Sequence, residues 1–202
     1  AQLAEKLGFT RYWLAEHHNM PYVGSSAPTI LMGYIAQGTS KIRVGSGGIM
    51  LPNHSPLVVA EQIGTLESLF PGRIDLGLGR AAGTDQQTAS VLRRGRLESV
   101  HEFPADLQAL RAYFSGDLLD HGVRAFPAEG LKIPIYLLGS SMSSAVLAAQ
   151  ESLPYAFASH FAPSQFLQAA KYYRANFKPS PDQPKPYMIA CVNVIAADSV
   201  EK

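Results

Sequence analysis

Apolar residues along the chain gather in short runs, and these alternate with longer stretches patterned as amphipathic helices. The short runs predict strands over residues 11–15, 42–50, 74–77, 133–138, 155–159 and 187–196. The longer stretches predict helices over 28–37, 56–70, 100–114, 144–152 and 163–176. Proline stands in the first turn at Pro28, Pro56 and Pro163, where its missing N–H costs nothing. Ser55 and Ser143 read as N-caps. A further helical pattern with Leu3, Ala4 and Leu7 opens the chain, and Gly8 stops it.

The strand runs are nearly continuous in apolar residues, as at Ile135-Tyr136-Leu137-Leu138, which is the pattern of strands covered on both faces. Strand and helix in alternation predict an α/β fold with a parallel sheet and helical crossovers. A doubly wound open sheet and a TIM barrel both satisfy this, and both gather ligands beyond the C-terminal ends of their strands. Two stretches break the alternation, at about 81–99 (with Arg93, Arg94 and Arg96) and 115–132 (with Gly116, Gly122 and Gly130). Loops of this length read as lids or binding loops. With no repeat and no linker, residues 1–202 read as a single domain.

Composition narrows the class. Of the 202 residues 47% are hydrophobic and 16% charged, with a net charge of +1, which fits a folded enzyme and implies neither nucleic acid nor a membrane surface as partner. No apolar run reaches the roughly 18 residues of a membrane span. Cys191 is the single cysteine, so no internal disulfide forms; in its apolar run it reads as a small buried hydrophobe. With no leader in view, the expected compartment is the cytoplasm. The chain opens at Ala1 already inside a helical pattern, and its last residues, 198–202, read as the start of another helix. It therefore reads as part of a longer fold.

The unusual residues fall at strand ends. Glu16-His17-His18 closes the first predicted strand. Side chains alternate along an extended chain, so Glu16 and His18 share one face and His17 takes the other. That disfavours a two-histidine, one-carboxylate metal triad, whose ligands must converge. It leaves a structural cluster or an acid/base histidine flanked by a carboxylate. Gly45-Ser46-Gly47-Gly48 lets a flat ligand or another backbone come close, or forms a bulge. Gly77-Leu78-Gly79-Arg80-Ala81-Ala82-Gly83 has glycines one position off the dinucleotide fingerprint, so Arg80 reads better as an anion clamp. Gly139-Ser140-Ser141-Met142-Ser143-Ser144 leads from a strand into a helix, the setting of a phosphate site or of plain capping.

Taken in order, these motifs resemble the bacterial-luciferase-like flavin monooxygenases. The matching text runs through Ala15-Glu16-His17-His18, Val44-Gly45-Ser46-Gly47-Gly48, Leu51-Pro52 with His54, Ala60-Glu61-Gln62, Pro71-Gly72-Arg73 through Arg80, Gly139-Ser140-Ser141 and Ala158-Ser159-His160-Phe161. The resemblance implies a TIM (β/α)8 barrel of which this chain carries the second through seventh strands, the first and eighth being absent. It implies FMN, delivered reduced by a separate NAD(P)H:flavin reductase, with molecular oxygen oxidising a small organic substrate, and a homodimer. Carried over by position, His17 becomes the acid/base residue, with Glu16 and His18 as its neighbours. Ser46, Gly47 and Gly48 lie by the flavin, Gly47-Gly48 at the family's non-prolyl cis peptide. Arg80, Gly139, Ser140, Ser141 and Ser144 hold the phosphate end, and His160 lines the pocket. Ser140 departs from the glutamate of the light-emitting members, and bioluminescence is not implied. A deazaflavin-dependent dehydrogenase and a non-catalytic flavin-binding barrel are the alternatives on the same fold.

Overall fold

The computed structural model describes residues 1–93, 99–117, 122–197 and 199, the side chains of 99 and 100 apart. The chain divides between Tyr136 and Leu137 into two compact units.

In the first unit, α1 (Gln2–Lys6) leads to β1 (Arg11–Leu14), and α2 (Pro28–Gln37) crosses to β2 (Arg43–Ser46). The short β3 (Ile49–Met50) follows, then α3 (Pro56–Leu69) and β4 (Ile74–Gly79). β1 and β2 are parallel, from Arg11 opposite Arg43 to Leu14 opposite Ser46. β4 pairs in parallel with β2 at its start, Ile74 opposite Val44, and with β3 at its end, Leu78 opposite Ile49. Every residue of β4 is buried, in keeping with text that is apolar or glycine at every position but Asp75. Helices α2 and α3 cover the strands, with Met32, Val59 and Ile63 completely or nearly completely buried. The strand expected over 42–50 is thus two strands. The cis peptide Gly47–Gly48 lies between them, and the Gly47 N–H turns to the carbonyl of Leu14.

The N-terminal ends of these strands are tied by a charge cluster. Asp75 is completely buried. Its Oδ2 accepts from Arg11 Nε and Trp13 Nε1, both at 3.0 Å, and its Oδ1 from Arg43 Nε at 2.8 Å. A buried carboxylate is tolerable only when its lone pairs are filled in this way. Arg11 also donates to the Tyr136 hydroxyl at 2.8 Å.

The stretch 81–99 is not one loop. It contains α4 (Gln86–Leu92), whose N-cap Asp85 accepts from the Thr88 N–H at 2.9 Å. Its polar sequence hid the helix from an apolar-periodicity reading. Arg94 and Arg96 lie outside the described residues. α5 (Ser99–Ser115) follows and buries Phe103, Leu107 and Leu110. After Ser115, where α5 ends, the stretch 115–132 has no helix or strand among its described residues. It is nonetheless anchored, with Ala125 and Ala128 buried.

In the second unit, β5 (Ile135–Gly139), β6 (Tyr155–Phe157) and β7 (Met188–Ala190) pair in parallel in that order, from Leu137 onward. The helices α6 (Met142–Gln150) and α7 (Pro163–Asn176) pack on one another as crossovers. Helix α6 starts two residues before the expected 144, because Ser141, with extended backbone (φ −138°, ψ 164°), is its N-cap in place of Ser143. Ser55 does stand at an N-cap, though its hydroxyl makes no cap bond. The last strand is shorter than 187–196: from Cys191 onward the chain leaves the ladder, and Val192, Val194 and Ile195 are exposed. Cys191 therefore sits past the strand end and is only half-buried; burial still pushes its thiol pKa up. The helix expected from 198 lies outside the described residues, Ser199 excepted.

Candidate active site

The site of the first unit is built where the chain leaves β1. The backbone of 16–18 is clamped from two sides: His17 N–H donates to the Ser25 carbonyl at 2.9 Å, and His18 N–H to the Gly83 carbonyl at 3.3 Å. Held extended, it sends Glu16 and His18 to one side and His17 to the other, as alternation requires.

Glu16 is completely buried. Its Oε1 lies 2.9 Å from His18 Nε2, 2.9 Å from His54 Nε2 and 3.3 Å from Asn53 Nδ2. Its Oε2 lies 3.0 Å from His54 Nε2 and 3.0 Å from the Met50 N–H. Burial alone would raise the carboxyl's pKa, but the hydrogen bonds and charge of His54, then those of His18 and Met50, outweigh it and hold the group below its ordinary value. With every lone pair engaged, Glu16 is an ionised anchor for two imidazoles. Glu16 also helps to line a cavity of about 210 Å³, together with His54, Ile49, Val59, Gln62 and the 26–30 segment that opens α2.

His17 faces elsewhere. Its Nδ1 lies 3.1 Å from the carbonyl oxygen of Gly83. The turn at 82–85 is laced to the same strip: Asn53 Nδ2 donates to the Ala82 carbonyl at 2.9 Å, and Thr84 Oγ1 to the His18 carbonyl at 2.8 Å. Arg93, from the end of α4, donates through Nε to Asn53 Oδ1 at 3.0 Å. Its burial lowers the guanidinium pKa.

Of the residues expected to meet a cofactor, Ser46 is completely buried, and its hydroxyl is spent inside the sheet, donating to the Gly77 carbonyl at 2.8 Å and accepting the Gly77 N–H at 3.0 Å. Gly47 and Gly48 form the cis link between β2 and β3, and Arg80 stands half-buried just after β4. In the second unit, Gly139 ends β5, with Ser140 next and Ser141 capping α6. The Ser141 and Ser143 hydroxyls meet at 2.9 Å on the exposed side of this cap. Ser144 is nearly buried and turned inward, donating to the Ser141 carbonyl at 2.7 Å and meeting the Tyr155 hydroxyl at 2.8 Å. His160 lines a cavity of about 410 Å³ with Ser159, Phe166, Cys191 and Asn193, and its buried Nδ1 has no hydrogen-bond partner among the described residues.

Sequence reading placed Glu16, His17 and His18 together but passed over His54 and Asn53 as site residues, and over Asp75. Nothing in the spacing sets residue 54 against residue 16. Parallel pairing of β1 with β2 does so, by returning the chain to the same end of the sheet. Among the described residues no group of three or more His, Cys, Asp or Glu side chains is arranged to hold a metal ion. No described helix is long and apolar enough to cross a membrane.

Comparisons with known proteins bear on the family and the fold. The family model described as luciferase-like monooxygenase matches residues 1–202. A luciferase-like monooxygenase of Escherichia coli (strain K12) is 57% identical over 199 residues, covering 98% of this chain and 59% of that protein. An N-acetyl-S-alkylcysteine monooxygenase of Bacillus subtilis (strain 168) is 41% identical over 162 residues, 78% of this chain and 48% of that protein. The crystal structure of apo-MsnO8 superposes with a TM-score of 0.86 at 42% identity, covering 94% of this chain and 56% of that one. The chain thus spans between about half and three fifths of the length of these relatives. Its strand-and-helix alternation is that of their (β/α) barrel, and the chain belongs to the luciferase-like monooxygenase family.

Proposed function

We propose that the protein carrying this chain is an FMN-dependent monooxygenase that uses reduced flavin and molecular oxygen to oxidise a small organic substrate. The observation that carries this is the arrangement at 16–18. One histidine is free of the carboxylate, on the opposite side of the strip from a buried carboxylate that spends itself on two other imidazoles. Held through Nδ1 on a backbone carbonyl rather than ion-paired to Glu16, His17 is the imidazole of the triplet that suits proton transfer. The family membership and the monooxygenase activity named for the Bacillus relative support oxygenation as the reaction class.

The residues present fit a flavin phosphate in kind. The N-terminus of α6 presents first-turn N–H groups beside the Ser141 hydroxyl, the chemistry of an oxyanion cradle. In the first unit, Arg80 brings a guanidinium to the end of β4. Ser144 takes part through the cap that it braces, since its own hydroxyl is engaged. Bound FMN would supply the two-electron chemistry with oxygen. The chain's part is to place His17 as proton donor or acceptor, to keep Glu16 ionised, and to hold His17 through the 82–85 turn. A separate NAD(P)H:flavin reductase as electron source, a homodimer and a cytoplasmic setting complete the proposal.

Titration of the full chain with reduced FMN under anaerobic conditions tests it. Saturable binding followed by substrate-dependent oxygen uptake is expected. Absence of reduced-flavin binding sinks the proposal.

A further inference from the structure

A backbone carbonyl can only accept a hydrogen bond. The 3.1 Å contact between His17 Nδ1 and the Gly83 oxygen therefore requires the proton on Nδ1. Neutral His17 then carries its lone pair on Nε2, the ring nitrogen turned away from Gly83. Free imidazole side chains favour the other tautomer, so this arrangement is imposed.

We infer that the Gly83 carbonyl fixes His17 as the Nδ1–H tautomer, with Nε2 as the proton acceptor, and that Asn53 and Arg93 are the positioning residues that hold that carbonyl in place. Gly83 has φ of +67°, and a Cβ on it would stand 2.5 Å from the Glu16 carbonyl oxygen. Only glycine lets the turn lie this close to the strip. Asn53 fastens the adjacent residue: one Nδ2 hydrogen goes to the Ala82 carbonyl and the other to Glu16 Oε1. Rotating that amide by half a turn would set its oxygen against a carbonyl and a carboxylate. Arg93 forbids the rotation by donating to Oδ1 from Nε.

Arg93 is only 8% exposed, and its Nη2 has no hydrogen-bond partner among the described residues. A buried cation with so few partners is costly for stability. The cost is understandable if Arg93 serves to orient Asn53. The path thus runs from α4 through Asn53 and the 82–83 turn to His17, and the buried Glu16 cluster shares the same amide. The assignment of Nε2 as the working nitrogen rests on the proposed monooxygenase role; the tautomer and its support do not.

The test is two-dimensional ¹H–¹⁵N multiple-bond NMR of the ¹⁵N-histidine-labelled full chain above the imidazole titration range, His17 being assigned from the signal lost in His17→Gln. A protonated, pyrrole-type Nδ1 and a pyridine-type Nε2 are expected at His17. In Asn53→Ala and Gly83→Ala the population moves toward Nε2–H, and turnover falls by about 10²-fold, the scale of a misplaced catalytic group. Arg93→Lys, which keeps a donor, holds the wild-type tautomer, and Arg93→Met does not. An Nε2–H signal at His17 in the wild type overturns the inference, as does an unchanged tautomer in both Asn53→Ala and Gly83→Ala. Nδ1–H at His17 in a protein that binds no reduced flavin upholds the inference while removing the proposed function.

Discussion

His54 Nε2 lies 2.9 Å from one oxygen of Glu16 and 3.0 Å from the other, so a single imidazole N–H spans both oxygens of a completely buried carboxylate. The two residues are 38 positions apart. His18 and the Met50 N–H fill the remaining directions. A carboxylate with this many donors is held ionised, and it in turn fixes the rings that surround it.

Removing His54 exposes how much this matters. His54→Ala leaves a buried carboxylate short of its best donor, and the expected loss of stability is about 1–3 kcal/mol. Glu16 has its folded pKa lowered from 4.5. Its contribution is therefore complete above that ordinary value and is lost as pH falls through the lowered one. In His54→Ala the lowering is smaller, so less stability is lost to acid and the loss is complete at higher pH. Urea denaturation midpoints for both proteins across the acid range check this; parallel pH curves would remove His54 from the role.

Glu16 and His17 should separate cleanly by mutation. Glu16→Gln keeps the volume but turns an NH₂ toward groups that are themselves donors, and a loss of about 2–4 kcal/mol is expected. His17→Ala leaves the Glu16 cluster intact, so its melting temperature should stay near that of the wild type. Its turnover should drop by about 10²- to 10⁴-fold, the range of general acid–base catalysis, with reduced-flavin affinity little changed. Thermal denaturation beside steady-state kinetics decides; an unstable His17→Ala, or one with full turnover, contradicts the assignment.

The triplet at 16–18 was legible because strand alternation alone separates His17 from its neighbours. The strand runs were legible because most of their residues are apolar, and Ile74–Gly79 is buried at every position. The partners of the triplet were not. His54 and Asn53 reach Glu16 only through parallel pairing, which carries no mark in local text. The helix Gln86–Leu92 was missed because it has only Ala89 buried and so lacks an apolar stripe; the informative signal was Asp85 three residues before Thr88, a cap rather than a period. Strand 187–196 was overread for the converse reason: Val192, Val194 and Ile195 have strand composition but no ladder among the described residues.

Gly45 is required by contact rather than by backbone freedom. A Cβ there would lie 2.7 Å from Asp75 Cβ, from the Asp75 carbonyl oxygen and from Trp13 Nε1. Gly45→Ala must therefore push apart β2 and β4 at the buried Asp75 cluster. A loss of about 1–3 kcal/mol is expected from overpacking, with more if the Trp13–Asp75 bond breaks. Gly38→Ala is the control, since its Cβ would meet nothing closer than 3.6 Å. Guanidinium denaturation of the pair should show a large shift for the first and a small one for the second; equal shifts would mean that the sheet relaxes freely at Gly45.

Glu5 makes the last prediction, on acid stability away from the site. Its carboxylate reaches from α1 to the loop before β2, where Oε1 accepts the N–H groups of Ser40 at 2.9 Å, Lys41 at 2.5 Å and Ile42 at 2.9 Å. Those backbone bonds, Ile42 first, lower its pKa from 4.5 to about 2. A depressed folded pKa gives stability that is present above the unfolded value and is lost as pH falls through the folded one. The window therefore runs from 4.5 down to about 2. Glu5→Gln keeps one acceptor oxygen but cannot titrate. Relative to the wild type it should be less stable at neutral pH, and the gap should close between those two values. Melting temperatures of the two proteins across this window read the effect directly, and a gap that stays constant with pH would show that Glu5 is not the titrating group.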